Sequence, residues 1–127
     1  MSDQTTILVV DDNPSMAITL SDILTLKGYA VHIAYSGAKA LEILERHEVH
    51  ILLTDVIMPD MDGVALYRQA RKTHPRLITF LMTAYAADEI IHQGIAEGIK
   101  TVLTKPVDIN LFLNLVKAVE QVYFHRQ

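Results

Sequence analysis

Apolar residues in this chain follow two alternating rhythms. Thr5–Val10 (TTILVV), Ile51–Thr54 (ILLT) and Leu77–Met82 (LITFLM) are short runs with almost no polar interruption. Their length and β-branched content predict strands buried on both faces. Tyr29–Ala34 and Thr101–Thr104 read as two further strands. Between the runs the spacing changes to that of helices. Met16, Leu20, Ile23 and Leu24 follow Pro14, which suits a first helical position, and Gly28 suits the cap at the far end. Ser36 is placed to cap a helix carrying Ala40, Leu41 and Leu44. Asp62-Gly63 opens a third helix with Val64, Tyr67 and Ala70 on one side, ended by Pro75. Ile91, Ile95 and Ile99 mark a fourth, weakened by Gly94 and Gly98. A fifth begins near Asp108, with a broad stripe of Leu111/Phe112, Leu115/Val116, Val119 and Val122/Tyr123.

Five buried strands, each followed by a helix, imply a parallel sheet covered on both faces, and right-handed crossovers restrict its topology. The expected fold is a doubly wound α/β domain. No repeat, linker or low-complexity tract divides the 127 residues, so residues 1–127 are expected to form one domain.

Composition narrows the function classes. Half the residues are apolar and 20% are charged, as in a compact domain. Cysteine is absent, which removes disulfides, thiolates and sulfur-ligated metals. No apolar run approaches the roughly 20 residues needed to span a bilayer, and Met1–Thr6 is too polar for a signal peptide. The expectation is a cytoplasmic protein without a membrane partner. A formal net charge of −4 and the lack of any Lys/Arg block argue against direct nucleic-acid binding.

Candidate chemistry lies where the strands end. In open α/β sheets the active crevice lies at the carboxyl ends of the strands. There strand one offers Asp11 and Asp12, strand three Asp55, strand four Thr83 and strand five Lys105. Each alone has an ordinary explanation: the Asp pair as a helix cap, Asp55 as a loop cap, Thr83 as a turn residue, Lys105 on the surface. The inference comes from finding them together. Three neighbouring carboxylates repel unless cations join them. Lys105 supplies one positive charge, and Mg²⁺, which takes carboxylate oxygens and waters, would supply the rest. A carboxylate so held is a competent nucleophile toward phosphorus.

These residues, with Met58-Pro59-Asp60-Met61-Asp62-Gly63 and the Lys105-Pro106 pair, resemble the receiver domains of two-component response regulators over essentially the whole chain. The resemblance implies a flavodoxin-like fold with strand order 2-1-3-4-5 and five helices. It implies that Asp55 is the phosphoacceptor, taking a phosphoryl group from a histidine kinase or phosphotransfer domain. Asp12, Asp55 and the backbone carbonyl of Ile57 would bind Mg²⁺, with Asp11 acting mainly through water. Thr83 and Lys105 would contact the phosphoryl group, and the Lys105–Pro106 peptide would be cis. Such a domain is not an enzyme beyond its own phosphorylation and dephosphorylation. Its switching surface would be the fourth helix, fifth strand and fifth helix, which also leaves room for a homodimer.

One position departs from the family. The aromatic usually found three residues before the lysine is Val102, and the nearest aromatic is Tyr85, expected over the phosphoryl pocket. The six histidines show no ligand spacing on one helix. An Mg²⁺-dependent phosphohydrolase with an aspartyl nucleophile is the alternative. It is disfavoured because the acidic pair is adjacent rather than Asp-x-Asp, and no insertion is long enough for a cap. A flavodoxin-type cofactor binder would need a glycine-rich phosphate loop where Asp11-Asp12-Asn13-Pro14 stands. A stand-alone relay and a receiver within a larger regulator or hybrid kinase both fit the residues.

Overall fold

The structure is a computed structural model and describes residues 4–124. Five strands, β1 (Thr6–Val10), β2 (Ala30–Ala34), β3 (Ile51–Asp55), β4 (Ile78–Thr83) and β5 (Thr101–Thr104), alternate with α1 (Pro14–Leu26), α2 (Gly37–Arg46), α3 (Gly63–Thr73), α4 (Glu89–Glu97) and α5 (Ile109–Val119). All pairings are parallel, in the order β2-β1-β3-β4-β5. This is the expected doubly wound fold, with β1, β3 and β4 in the centre.

Alternation along the central strands divides the core. Ile7, Val9, Ile51, Leu53, Phe80 and Met82 point to the face covered by α1 and α5, through Ala17, Leu20, Leu24, Phe112 and Val116. Leu8, Val10, Leu52 and Leu81 point the other way, toward α2, α3 and α4. Burying an apolar side chain on either face stabilises by about 1.5–3 kcal/mol. That is why the central strands carry so little polarity.

Local signals place the helix starts. Asn13, Ser36, Asp62 and Asp108 each accept a backbone N–H of the following first turn. Gly28, just past the α1 cap Lys27, has φ 99, a left-handed conformation that favours glycine.

Three expectations need correction. Met16 is 36% exposed, and Ala17 takes the inward position. In α4, Ile95 is exposed and Ile99 lies outside the helix. Gly98 (φ 127) stops the helix, the Ile99 N–H returns to the Gly94 carbonyl at 3.0 Å, and the Ile99 side chain packs on Gly94. The α5 stripe is narrower than its sequence: Phe112, Val116 and Val119 are buried, whereas Leu111, Val122 and Tyr123 are exposed. The chain passes into a π-turn at Glu120–Phe124. There the Glu120 carboxylate accepts from Thr5 Oγ1 (2.5 Å) and from the Tyr29 hydroxyl (3.4 Å). Burial, then the charge of Glu120, pushes the Tyr29 phenol up to about 12.

Candidate functional site

The sheet register brings the candidate residues to one edge. Val10 pairs with Thr54 and Asp55 with Met82, so Asp11 and Asp55 leave adjacent strands at the same level. Thr83 pairs with Thr104, which sets Lys105 one residue beyond the β5 end. Asp55 and Thr83 are the last residues of their strands rather than the first of their loops, so ladder hydrogen bonds fix their backbones.

Asp11, Asp12 and Asp55 each offer a carboxylate oxygen, all within 4.8 Å of one another. Lys105 Nζ donates to Asp55 Oδ2 at 2.9 Å and to Asp11 Oδ2 at 3.1 Å. Asp11 is buried, and its second oxygen accepts from the Asn13 N–H at 3.0 Å. Asp12 is exposed, and among the described residues no hydrogen bond or ion pair engages its carboxylate.

The ion pair is unequal. Burial pulls Lys105 down, but its hydrogen bonds to Asp55 and Asp11 outweigh that and hold its pKa above the ordinary lysine value. Asp55 is also raised: burial pushes its carboxyl up, Asp11 adds to this, and Lys105 and the Ile57 backbone only partly oppose it. The two partners therefore shift the same way: burial raises Asp55 against the pull of Lys105, while hydrogen bonds to two carboxylates raise the lysine they share. The lysine is well stabilised as a cation, and the acids are short of positive charge. That deficit, with an open carboxylate on Asp12, is the donor chemistry of a hard divalent cation, so the residues present fit Mg²⁺.

The loop after β3 is built to fold tightly. The Gly63 N–H donates to the Val56 carbonyl at 2.8 Å, and a Cβ on Gly63 would lie 2.4 Å from the Asp55 carbonyl oxygen. Met58 is buried beneath the loop, while the Ile57 side chain is 56% exposed. Asp60 turns back to α2, and its carboxyl is held below the usual range, chiefly by the Ala38 N–H. Thr83 is buried, and its hydroxyl oxygen accepts from the Tyr85 N–H at 3.0 Å, which leaves its proton to be donated. The Tyr85 side chain is 60% exposed. Lys105–Pro106 is cis, as expected.

Several features were not anticipated. The His32 and His47 rings, from β2 and the end of α2, lie 4.4 Å apart, and burial followed by the nearby His47 lowers the His32 pKa. No spacing rule within one helix could find this pair. Arg68 holds Glu97 through two hydrogen bonds of 2.9 and 2.6 Å, and Tyr67 and Arg71 donate to the Glu97 carbonyl, tying α4 to α3. Val102 is half-buried against the cluster of Leu81, Ile91 and Ile99. An open cavity of about 750 Å³ lies at the other end of the sheet, beside His50, His74 and Leu77. Its histidines are already engaged with the Thr6 N–H and the Leu44 carbonyl.

No helix is long and apolar enough to cross a membrane, among the described residues. Residues 7–117 match the family model described as the response regulator receiver domain. The chain is 37% identical over 119 residues to the sensor kinase CckA of Brucella abortus, covering 92% of this chain and 13% of that protein. It is 34% identical over 116 residues to the transcriptional regulatory protein GlrR of Escherichia coli, covering 91% of this chain and 26% of that protein. The chain thus spans 13% of one of these relatives and about a quarter of the other. Among solved structures, a CheY-like response regulator receiver domain protein from Methanospirillum hungatei superposes with a TM-score of 0.87 at 29% identity, covering 91% of this chain and 93% of that one. An acidic pocket of Asp11, Asp12 and Asp55 at the carboxyl edge of a 2-1-3-4-5 sheet is what such a domain needs, and the chain belongs to the response regulator receiver domain family.

Proposed function

We propose that residues 1–127 form one receiver domain in which Asp55 accepts a phosphoryl group from a histidine kinase or phosphotransfer domain. The observation that carries this is the carboxylate of Asp55, at the end of a central strand and 2.9 Å from Lys105 Nζ. Asp12, Asp55 and the Ile57 carbonyl would hold Mg²⁺, with Asp11 acting through water because the chain already uses both its oxygens. When bound, the ion supplies positive charge to the oxygens of the transferring group.

In the transfer an Asp55 oxygen forms the new bond to phosphorus, and the bond from phosphorus to the donor imidazole breaks. The electron pair returns to the imidazole nitrogen. Lys105 moves its hydrogen bonds toward the phosphoryl oxygens and offsets their charge. Thr83 donates its remaining hydroxyl proton to one of them, a contact absent without the phosphoryl group. Contacts made in only one state are what bias a two-state switch. The switching surface is α4, β5 and α5, which would also serve a homodimer. At α4 the Asp88 side chain makes no cap bond, whereas Glu97 is held by Arg68. Val102 cannot swing a ring, so the signal passes without that aromatic. The setting is cytoplasmic, without direct nucleic-acid binding by this domain. The phosphohydrolase reading is not favoured, since the family match and the adjacent acidic pair both point elsewhere.

The test is incubation with Mg²⁺ and acetyl phosphate followed by intact mass. Wild type is expected to gain one phosphate-sized increment, lost in Asp55→Asn and lost when the metal is chelated. An equal gain in Asp55→Asn would contradict the assignment. Tyr85, beside Thr83, is expected to limit water access to the aspartyl phosphate. Tyr85→Ala should therefore change the rate of phosphate loss, and an unchanged rate would remove that role.

A further inference from the structure

The first turn of α2 depends on a residue from another loop. The N–H groups of Gly37, Ala38 and Lys39 have no acceptor within the helix, as at any helix start. Ser36 Oγ accepts from Lys39 at 3.2 Å. The other two donate to Asp60, Gly37 to Oδ1 at 3.2 Å and Ala38 to Oδ2 at 2.9 Å. A carboxylate is also the group that the positive end of a helix favours. The next residue reinforces the contact: a Cβ on Gly37 would lie 2.4 Å from Met61 Cγ, so the Met61 side chain lies against the bare glycine.

The base of the β3–α3 loop is fixed separately. The Val56 N–H donates to the Met82 carbonyl at 3.1 Å, and the Gly63 N–H to the Val56 carbonyl at 2.8 Å. The far end of the loop is joined by hydrogen bonds to α2 only through Asp60, among the described residues. Ile57 lies between these two anchors.

We propose that Asp60 is a positioning residue of the cation site: its two-oxygen hold on α2 sets the β3–α3 loop so that the Ile57 carbonyl faces the divalent cation. This rests on the reading that Asp12, Asp55 and the Ile57 carbonyl bind Mg²⁺. By reciprocity of linked equilibria, cation binding steadies the first turn of α2 in return.

The test is Mg²⁺ titration of the full-length, isotope-labelled chain followed by NMR. Asp60→Ala is expected to raise the Mg²⁺ Kd about three- to tenfold, the scale of a lost helix cap, and Asp60→Asn, which keeps one acceptor oxygen, to raise it less. Ser36→Ala is the control, since it removes a cap from the same helix without touching the loop. It should lower Tm and leave the Mg²⁺ Kd unchanged. An unchanged Kd in Asp60→Ala overturns the proposal, and so does an equal rise in Ser36→Ala, which would mean general loosening of α2. Absence of Mg²⁺ binding in wild type would remove the metal reading itself, and the proposal with it. If Asp60→Ala does not fold, wild type decides: saturating Mg²⁺ should slow amide exchange at Gly37 and Ala38, and unaltered exchange overturns the proposal.

Discussion

Lys105→Met is expected to destabilise the fold by about 2–3 kcal/mol at neutral pH without divalent cation, somewhat below the usual loss for breaking a fully buried pair because Lys105 is partly solvated. Methionine keeps much of the apolar stem, so the loss reports the charge. Without the ammonium, Asp11 and Asp55 face each other with no positive partner from the chain. The sign with pH follows. Asp55 already has its folded pKa above the ordinary carboxyl value, and loss of Lys105 raises it further. A group with a raised folded pKa favours the folded state below its unfolded pKa, and that contribution is lost as pH rises through the folded pKa. The variant's deficit is therefore greatest above the folded pKa and shrinks toward about pH 4, the ordinary carboxyl range. Added Mg²⁺ should restore part of the stability at neutral pH. Urea denaturation at both pH values, with and without Mg²⁺, checks this. An equal deficit under all conditions would mean that Lys105 acts by packing rather than by charge.

Gly63→Ala is expected to cost about 2–3 kcal/mol, the upper part of the range for overpacking a tight core. The added methyl would meet backbone, not a yielding side chain tip. It falls 2.4 Å from the Asp55 carbonyl oxygen and 3.2 Å from both the Asp55 carbonyl carbon and Thr54 Cγ2. Either α3 must move away or the end of β3 must shift, and the second takes the Asp55 carboxylate with it. Cation affinity should therefore fall together with Tm. Gly94→Ala is the comparison. Its methyl would meet Ile99 Cδ1, the far end of a flexible chain, at 2.6 Å, and the Val64 methyls at 3.2–3.3 Å. Alanine also gains about 1 kcal/mol of helix propensity there, so Gly94→Ala should cost much less and leave the cation site intact. Thermal melts of the two variants separate these cases, and equal losses would contradict the argument.

The contrast between these glycines shows what was legible in the sequence. The strands were readable because burial on both faces demands uninterrupted apolar runs. The helix starts at Ser36, Asp62 and Asp108 were readable because a cap bonds only three residues ahead. The meeting of Asp11, Asp55 and Lys105 was readable because central strands of a parallel sheet end at one edge. Contacts that depend on distant partners were not. Gly94 reads as a weakness in α4, yet Ile99, beyond the helix, folds back onto it. Ile95 fits a spacing of four, but α4 ends at Glu97, and the spacing cannot say which face the latch to Arg68 turns outward. Asp60 reads as one more polar loop residue, since nothing near it in the chain names α2 as its partner. His32 and His47 meet only because β2 runs beside the end of α2.

Of the Asp11-Asp12-Asp55 cluster, Asp55 alone is expected to carry the phosphoryl group. Borohydride reduction of the phosphorylated chain, followed by peptide mass mapping, tests it directly, because the reagent converts an aspartyl phosphate to homoserine and spares free carboxylates. Homoserine is expected at position 55, appearing only after phosphodonor and Mg²⁺ are supplied. Homoserine at position 11 or 12, or a phosphorylated chain with unmodified Asp55, would contradict it.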